Sequence, residues 1–264
     1  MRATFLAFTV LASVVQVAAQ QPNTVPPVSR TLEDMKSRAW TERSQAFDKA
    51  SELLASGKLS PSDSDRVKLG IIQLLIAENT RANVPDNETL KHEDEVDDEE
   101  YYPSLISFVV GMNDERAIPA LVGAMPYASD AAGALQRFGD KAVGPILDQL
   151  KSRNALLRAS VLSMAVTMEG QNAAVSQPRI REMLRAALTD PDSAVRGTAV
   201  NEIACLDDRQ DFVPLLDKLA KTDPAHFKGR EDDGVDGDQF YPVRFDARRA
   251  LRAIQNNEPC LWRH

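Results

Sequence analysis

The residues of this 264-residue chain best placed to do chemistry are carboxylates, and they are bunched. Asp232, Asp233, Asp236 and Asp238 fall within a short run of the kind that could offer oxygen ligands to Ca²⁺. The run departs from EF-hand spacing and has no glutamate at the twelfth position. The three histidines, His92, His226 and His264, are far apart in sequence. His92 and His226 each precede an acidic run, so a zinc site joining the two would need long-range proximity that spacing cannot supply. No Gly-x-Ser-x-Gly elbow, phosphate-binding glycine loop or Cys-x-x-Cys is present. With no catalytic motif, the sequence predicts no enzyme. An enzyme-associated scaffold and a Ca²⁺-stabilised structural module are the alternatives to a binding protein.

Two acidic stretches share a register. Val96-Asp97-Asp98-Glu99-Glu100-Tyr101-Tyr102-Pro103 and Val235-Asp236-Gly237-Asp238-Gln239-Phe240-Tyr241-Pro242 both run from Val-Asp through mostly acidic or small residues to aromatic-Tyr-Pro. Two readings follow. In one, the acids are solvated and the aromatics cover the edge of a core. In the other, Tyr101, Tyr102, Phe240 and Tyr241 anchor a basic partner, with acids such as Asp97 and Asp236 steering it.

The net charge of −8 is concentrated in these stretches: residues 86–100 hold nine acids and one lysine, and 231–238 hold five acids and no base. That balance argues against nucleic acid as the main partner; the partner expected here is an unidentified protein, from the anchor reading of the aromatics.

The N-terminus sets the expected compartment. Arg2, an apolar run over 5–15 and Val17-Ala18-Ala19 form a secretory signal with cleavage after Ala19. No later stretch is long and apolar enough to enter a bilayer, so a secreted or periplasmic protein is expected. In that setting the two cysteines, Cys205 and Cys260, can bond and pin the tail to the stack. The alternative is a Cys205 that is a small core residue and a Cys260 that is a tail thiol or pairs between chains.

What must position these groups is a set of helices. Ala117-Ile118-Pro119-Ala120-Leu121, Val143-Gly144-Pro145-Ile146-Leu147 and Phe212-Val213-Pro214-Leu215-Leu216 each place a proline where a helix starts. Leu157-Arg158-Ala159, Val195-Arg196-Gly197 and Val243-Arg244-Phe245 open second helices. Asp190-Pro191-Asp192 and Asp223-Pro224 supply turns before two of them. The unit is helix, turn, helix. These Pro-x-Leu sets and the Asp-Pro-Asp-x-x-Val-Arg-x-x-Ala run at 190–199 resemble HEAT repeats, particularly the short phycobilisome-lyase-type units. Gln177-Pro178-Arg179 departs from the apolar-Pro start, and unit lengths vary.

The resemblance implies an all-α, right-handed α-solenoid of stacked helix pairs that serves as a binding surface and specifies no reaction. The expected organisation is a signal at 1–19, a flexible leader at 20–31, a solenoid over 32–257 with acidic inserted turns at 86–103 and 225–242, and a tail at 258–264. Trp40 is expected in the core or capping the first helices. Arg158, Arg196 and Arg244 form either a basic stripe for an anionic ligand or a ladder paired with acids of neighbouring turns, such as Asp192.

Overall fold

The computed structural model describes residues 27–82, 98–228 and 239–258. Twelve α-helices fall in consecutive pairs among them. They are α1 (Pro27–Asp34) with α2 (Trp40–Ala55), α3 (Pro61–Ala82) with α4 (Asp98–Met112), and α5 (Ile118–Ala124) with α6 (Ser129–Phe138). The second half pairs α7 (Asp140–Asp148) with α8 (Ala155–Thr167), α9 (Gln177–Ala187) with α10 (Ser193–Ala204), and α11 (Val213–Thr222) with α12 (Pro242–Gln255). The first helices α1, α3, α5 and α7 pack in sequence, and the second helices α8, α10 and α12 do the same. Each pair therefore touches mainly its neighbours, which is the arrangement of an all-α repeat solenoid. The one β feature among the described residues is a two-residue antiparallel ladder of β1 (Phe227–Lys228) with β2 (Gln239–Phe240).

The core is a continuous apolar seam between the two helix layers. Ile71 and Leu75 of α3, Leu121 of α5, Leu162 of α8, Ile180 of α9 and Phe212 before α11 are all fully buried. Alanines 199, 247 and 250 are buried where α10 and α12 approach each other, because a methyl allows the close contact a larger side chain would prevent.

Proline behaves at α5 and α11 as expected, falling in the first turn where its missing N–H leaves no broken bond. Pro178 does the same in α9 despite its polar neighbours. Pro145 differs. It is the sixth residue of α7, so the carbonyl of Lys141 loses its helical partner; Lys141 is exposed and water can replace that bond. The predicted leader also ends earlier than residue 31. Pro27 opens α1, and Val28, Thr31 and Met35 recur on one buried face. Residues 1–26, with the predicted signal, lie outside the described residues. No described helix is long and apolar enough to cross a membrane.

Candidate functional site

Arginine near the start of the second helix recurs through the stack and makes the same bonds each time. Arg43, Arg158 and Arg196 are the fourth residues of α2, α8 and α10. In each, Nη1 donates to two carbonyls of the turn just before its own helix. The acceptors are Ser37 and Arg38 at 3.2 and 2.7 Å, Ser152 and Arg153 at 2.8 and 3.2 Å, and Asp190 and Pro191 at 2.8 and 2.9 Å. The other edge of each guanidinium grips a carboxylate from a neighbouring unit: Glu78 at 2.5 Å, Asp190 at 2.7 Å and Asp223 at 2.6 Å. A planar five-donor fork suits this double duty, and lysine does not.

The arginines are therefore a structural ladder, with side chains only 5, 13 and 9% exposed at Arg43, Arg158 and Arg196, too enclosed for an anionic ligand. Asp192 is not the rung's acid. It caps α10 by accepting from the Ala194 N–H at 2.8 Å, while Asp190 and Asp223 take the guanidinium groups. Burial pushes the Asp223 carboxyl up, but the Arg196 hydrogen bond, the Ala225 N–H and the charges of Arg196 and Arg244 hold it below the usual carboxylate range. Arg244 ends the series, donating through Nε to the Asp223 carbonyl at 2.6 Å.

In units two and three the ladder changes chemistry. The fourth residue of α4 is Tyr101, whose hydroxyl donates to Glu78 at 3.3 Å; the fourth of α6 is Ala132. Tyr102 donates to Asn79 at 2.6 Å, and the Asn79 amide donates to the Ala120 carbonyl at 2.6 Å. Burial, then the Glu78 charge, push the Tyr101 hydroxyl far above its ordinary value.

Tyr101 is thus not a surface anchor, whereas Tyr102 is half-buried with its hydroxyl bonded to Asn79. Tyr101 is 6% exposed and packs edge-on against Phe47, ring centroids 6.1 Å apart. The cause is helical periodicity: Tyr101, Leu105 and Val109 share one buried stripe of α4. That stripe carries the helix back through Pro103 to Asp98, where the sequence suggested a turn ending at Pro103.

The second acidic stretch folds differently. Pro242 opens α12, and the residues before it enter the β1–β2 ladder, with Phe227 opposite Phe240. An aromatic cluster forms at the foot of this turn. Phe227 and Phe240 lie 5.0 Å apart, Phe240 and Phe245 5.7 Å, and His226 and Tyr241 5.4 Å. The Arg244 guanidinium stacks over the Tyr241 ring at 3.9 Å. The His226 ring, through Nδ1, hydrogen-bonds the Pro224 carbonyl at 3.0 Å. Phe227 is 53% and Phe245 45% exposed.

Sequence reasoning named Phe240 and Tyr241 but missed Phe227 and Phe245. The signal was available for Phe245: Val243, Ala247, Ala250 and Ile254 form the buried stripe of α12, and Phe245 falls off it. The two acidic stretches therefore share a sequence register, but the first leads into α4 with Tyr101 buried, and the second into the β1–β2 ladder beside the exposed Phe227 and Phe245. Asp97 and His92, and Asp232, Asp233, Asp236 and Asp238, lie outside the described residues, as does Cys260. Among the described residues no group of three His, Cys, Asp or Glu side chains could hold a metal ion. Cys205 is disulfide-bonded.

No protein-family model matches the chain, and no curated protein does. Among solved structures, a designed armadillo repeat protein in complex with the peptide (KR)4 is 15% identical, with a TM-score of 0.34 over 86% of this chain and 98% of the designed one. That likeness is too distant for the designed protein's peptide to bear on this chain.

Proposed function

We propose that this chain is an exported HEAT-like repeat module that binds a protein partner, and that the turn between α11 and α12 is its recognition surface. The observation that carries the reading is the aromatic cluster at that turn. Two half-exposed phenylalanines flank Phe240 and Tyr241, on a ladder whose intervening sequence holds five acids over 231–238. Exposed aromatics provide buried area on binding, and adjacent acids favour a basic partner. The connection between the two helices of a unit is also where repeat proteins can vary without disturbing their core.

The disulfide at Cys205 supports export, since such bonds persist in oxidising compartments. The N-terminal signal pattern agrees. Intact-mass measurement of the exported protein should then give a species beginning at Gln20, and a mature species retaining Phe5 would overturn the export reading.

The binding reading is tested by affinity capture from the native exported fraction. Wild type is compared with a Phe227→Ala/Phe245→Ala variant and with one whose acids over 231–238 are made amides. Loss of one dominant partner in both variants supports the surface. Equal capture by all three proteins rejects it. A Leu156→Ala variant serves as control, because it removes a comparably exposed apolar side chain on α8 instead of at the turn.

A further inference from the structure

We infer that the groove between α2 and α4 is a subsite for a cationic side chain, an arginine or lysine of the partner. It rests on the reading that the stack binds a protein, and it adds a second contact point and its chemistry. Trp40, Ser44 and Asp48 recur at helical spacing along one wall, and Glu100 and Ser104 along the other. Phe47 and Tyr101 form the floor of a space of about 390 Å³.

Three features of this groove converge. Trp40 is half-buried, and no described ring or cation packs against its indole. Asp48 and Glu100 are exposed, and neither makes a hydrogen bond or ion pair with any described residue. Among the described residues, no lysine, arginine or histidine lines the groove.

An indole face attracts a cation more strongly than any other side-chain ring. Two carboxylates, one on each side of the groove, place negative potential on the same space. The hydroxyls of Ser44 and Ser104 can accept the remaining donors of a guanidinium or ammonium group. An anion would meet two like charges. A purely apolar side chain would strip water from both carboxylates without replacing it. Trp40 is therefore a binding surface at the open edge of the stack, in addition to any part it plays in covering the first helices.

The full-length protein with Trp262→Phe leaves Trp40 as the sole tryptophan, since the sequence holds two. Its emission is titrated with a tetra-arginine amide peptide and with the tetra-citrulline peptide, which keeps shape and loses charge. The expected result is a saturable change with the arginine peptide and none with citrulline. Asp48→Asn/Glu100→Gln should weaken the apparent Kd by about tenfold or more. Asp130→Asn/Asp148→Asn, an equal charge change at exposed carboxylates elsewhere, should leave it within about twofold.

No saturable response overturns the subsite. An equal response to citrulline overturns it in favour of a neutral ligand. Equal weakening in the two double variants overturns it in favour of bulk charge. Phe227→Ala/Phe245→Ala should leave the Trp40 titration unchanged. A silent Trp40 with partner capture still lost in that variant would reject this groove and retain the proposed binding turn.

Discussion

Arg196 ties two turns of chain to the start of α10 through one guanidinium. Its Nη1 bonds the Asp190 and Pro191 carbonyls, and its other edge holds the Asp223 carboxylate, which is itself almost wholly enclosed. Truncating it to alanine leaves Asp223 short of its main partner in a site with little water. That change should cost roughly 3 kcal/mol or more, visible as a lower midpoint in urea unfolding followed by circular dichroism. Truncation of Arg179, whose partner Glu182 is exposed, should shift the midpoint by less than about 1 kcal/mol.

The pH dependence has a definite sign. Asp190 and Asp223 are both held below the usual carboxylate range: burial raises each, and their arginine partners and backbone N–H donors more than offset it. A depressed folded value means the stabilisation is complete above the unfolded value near 4 and is lost as pH falls through the folded one. Stability should be insensitive to these pairs from pH 5 to 8 and fall below about pH 4. Asp223→Asn should be less stable at neutral pH and show a shallower acid slope. An acid slope equal to wild type would remove Asp223 from the ladder's energetics.

Sequence exposed part of this ladder. Leu157-Arg158, Val195-Arg196 and Val243-Arg244 share an apolar residue before the arginine, and that made them visible as a set. Arg43 follows Glu42, so the most enclosed member of the series had no such flag. The acids were less legible still, because the partner lies 27 to 35 residues away and is glutamate in one case and aspartate in two.

At the scale of elements, the starts of α5 and α11 were readable because a first-turn proline acts locally, whereas Pro145 lies inside α7 and misplaced its start. Where sequence reading failed, a tertiary demand overrode the local one. Pro103 looked like a boundary, yet burial of Tyr101 beside Phe47 and Glu78 extends α4 beyond it. The exposed aromatics at α12 were half legible, since helical periodicity separates Phe245 from the buried stripe, while Phe227 depends on a two-residue pairing with Phe240 that no local pattern announces.

The junction of α3 with α5 gives an element-scale test. Asn79 is 5% exposed and donates to the Ala120 carbonyl, so α5 must pass close above it. Gly123 makes that approach possible: a Cβ there would lie 2.5 Å from the Asn79 amide nitrogen. Gly123→Ala should therefore destabilise by about 1–3 kcal/mol, despite alanine's better helix propensity. Asn79→Ala alone also loses stability, because the hydroxyl of Tyr102 loses its acceptor. The double variant should cost less than the sum of the two, since each removes the clash or the bond the other disturbs. Strict additivity of the unfolding free energies would show that the glycine is not there for the asparagine.

The molecule as a whole is close to one-dimensional, so its ends need covering that its interior does not. At the C-terminal end Arg209 does this from inside. It is 8% exposed, and it donates to the Ala204 carbonyl at the end of α10 and to the Glu258 carbonyl at 2.6 Å beyond α12. Cys205, next to Ala204, is disulfide-bonded, and the sequence offers Cys260, two residues after Glu258, as the other cysteine. Non-reducing peptide mapping of the exported protein should recover 205 and 260 in one linked pair, at monomer mass. A dimer held by the bond would instead make it an intermolecular contact. Reduction should lower stability by about 2–4 kcal/mol. In a stack whose units depend on their neighbours, the loss should begin at the last pair. Hydrogen exchange should therefore rise first in α11 and α12, while α3 and α5 keep their protection. Uniform loss along all twelve helices would mean that the described stack unfolds as one cooperative body, with the tail bond acting on the whole.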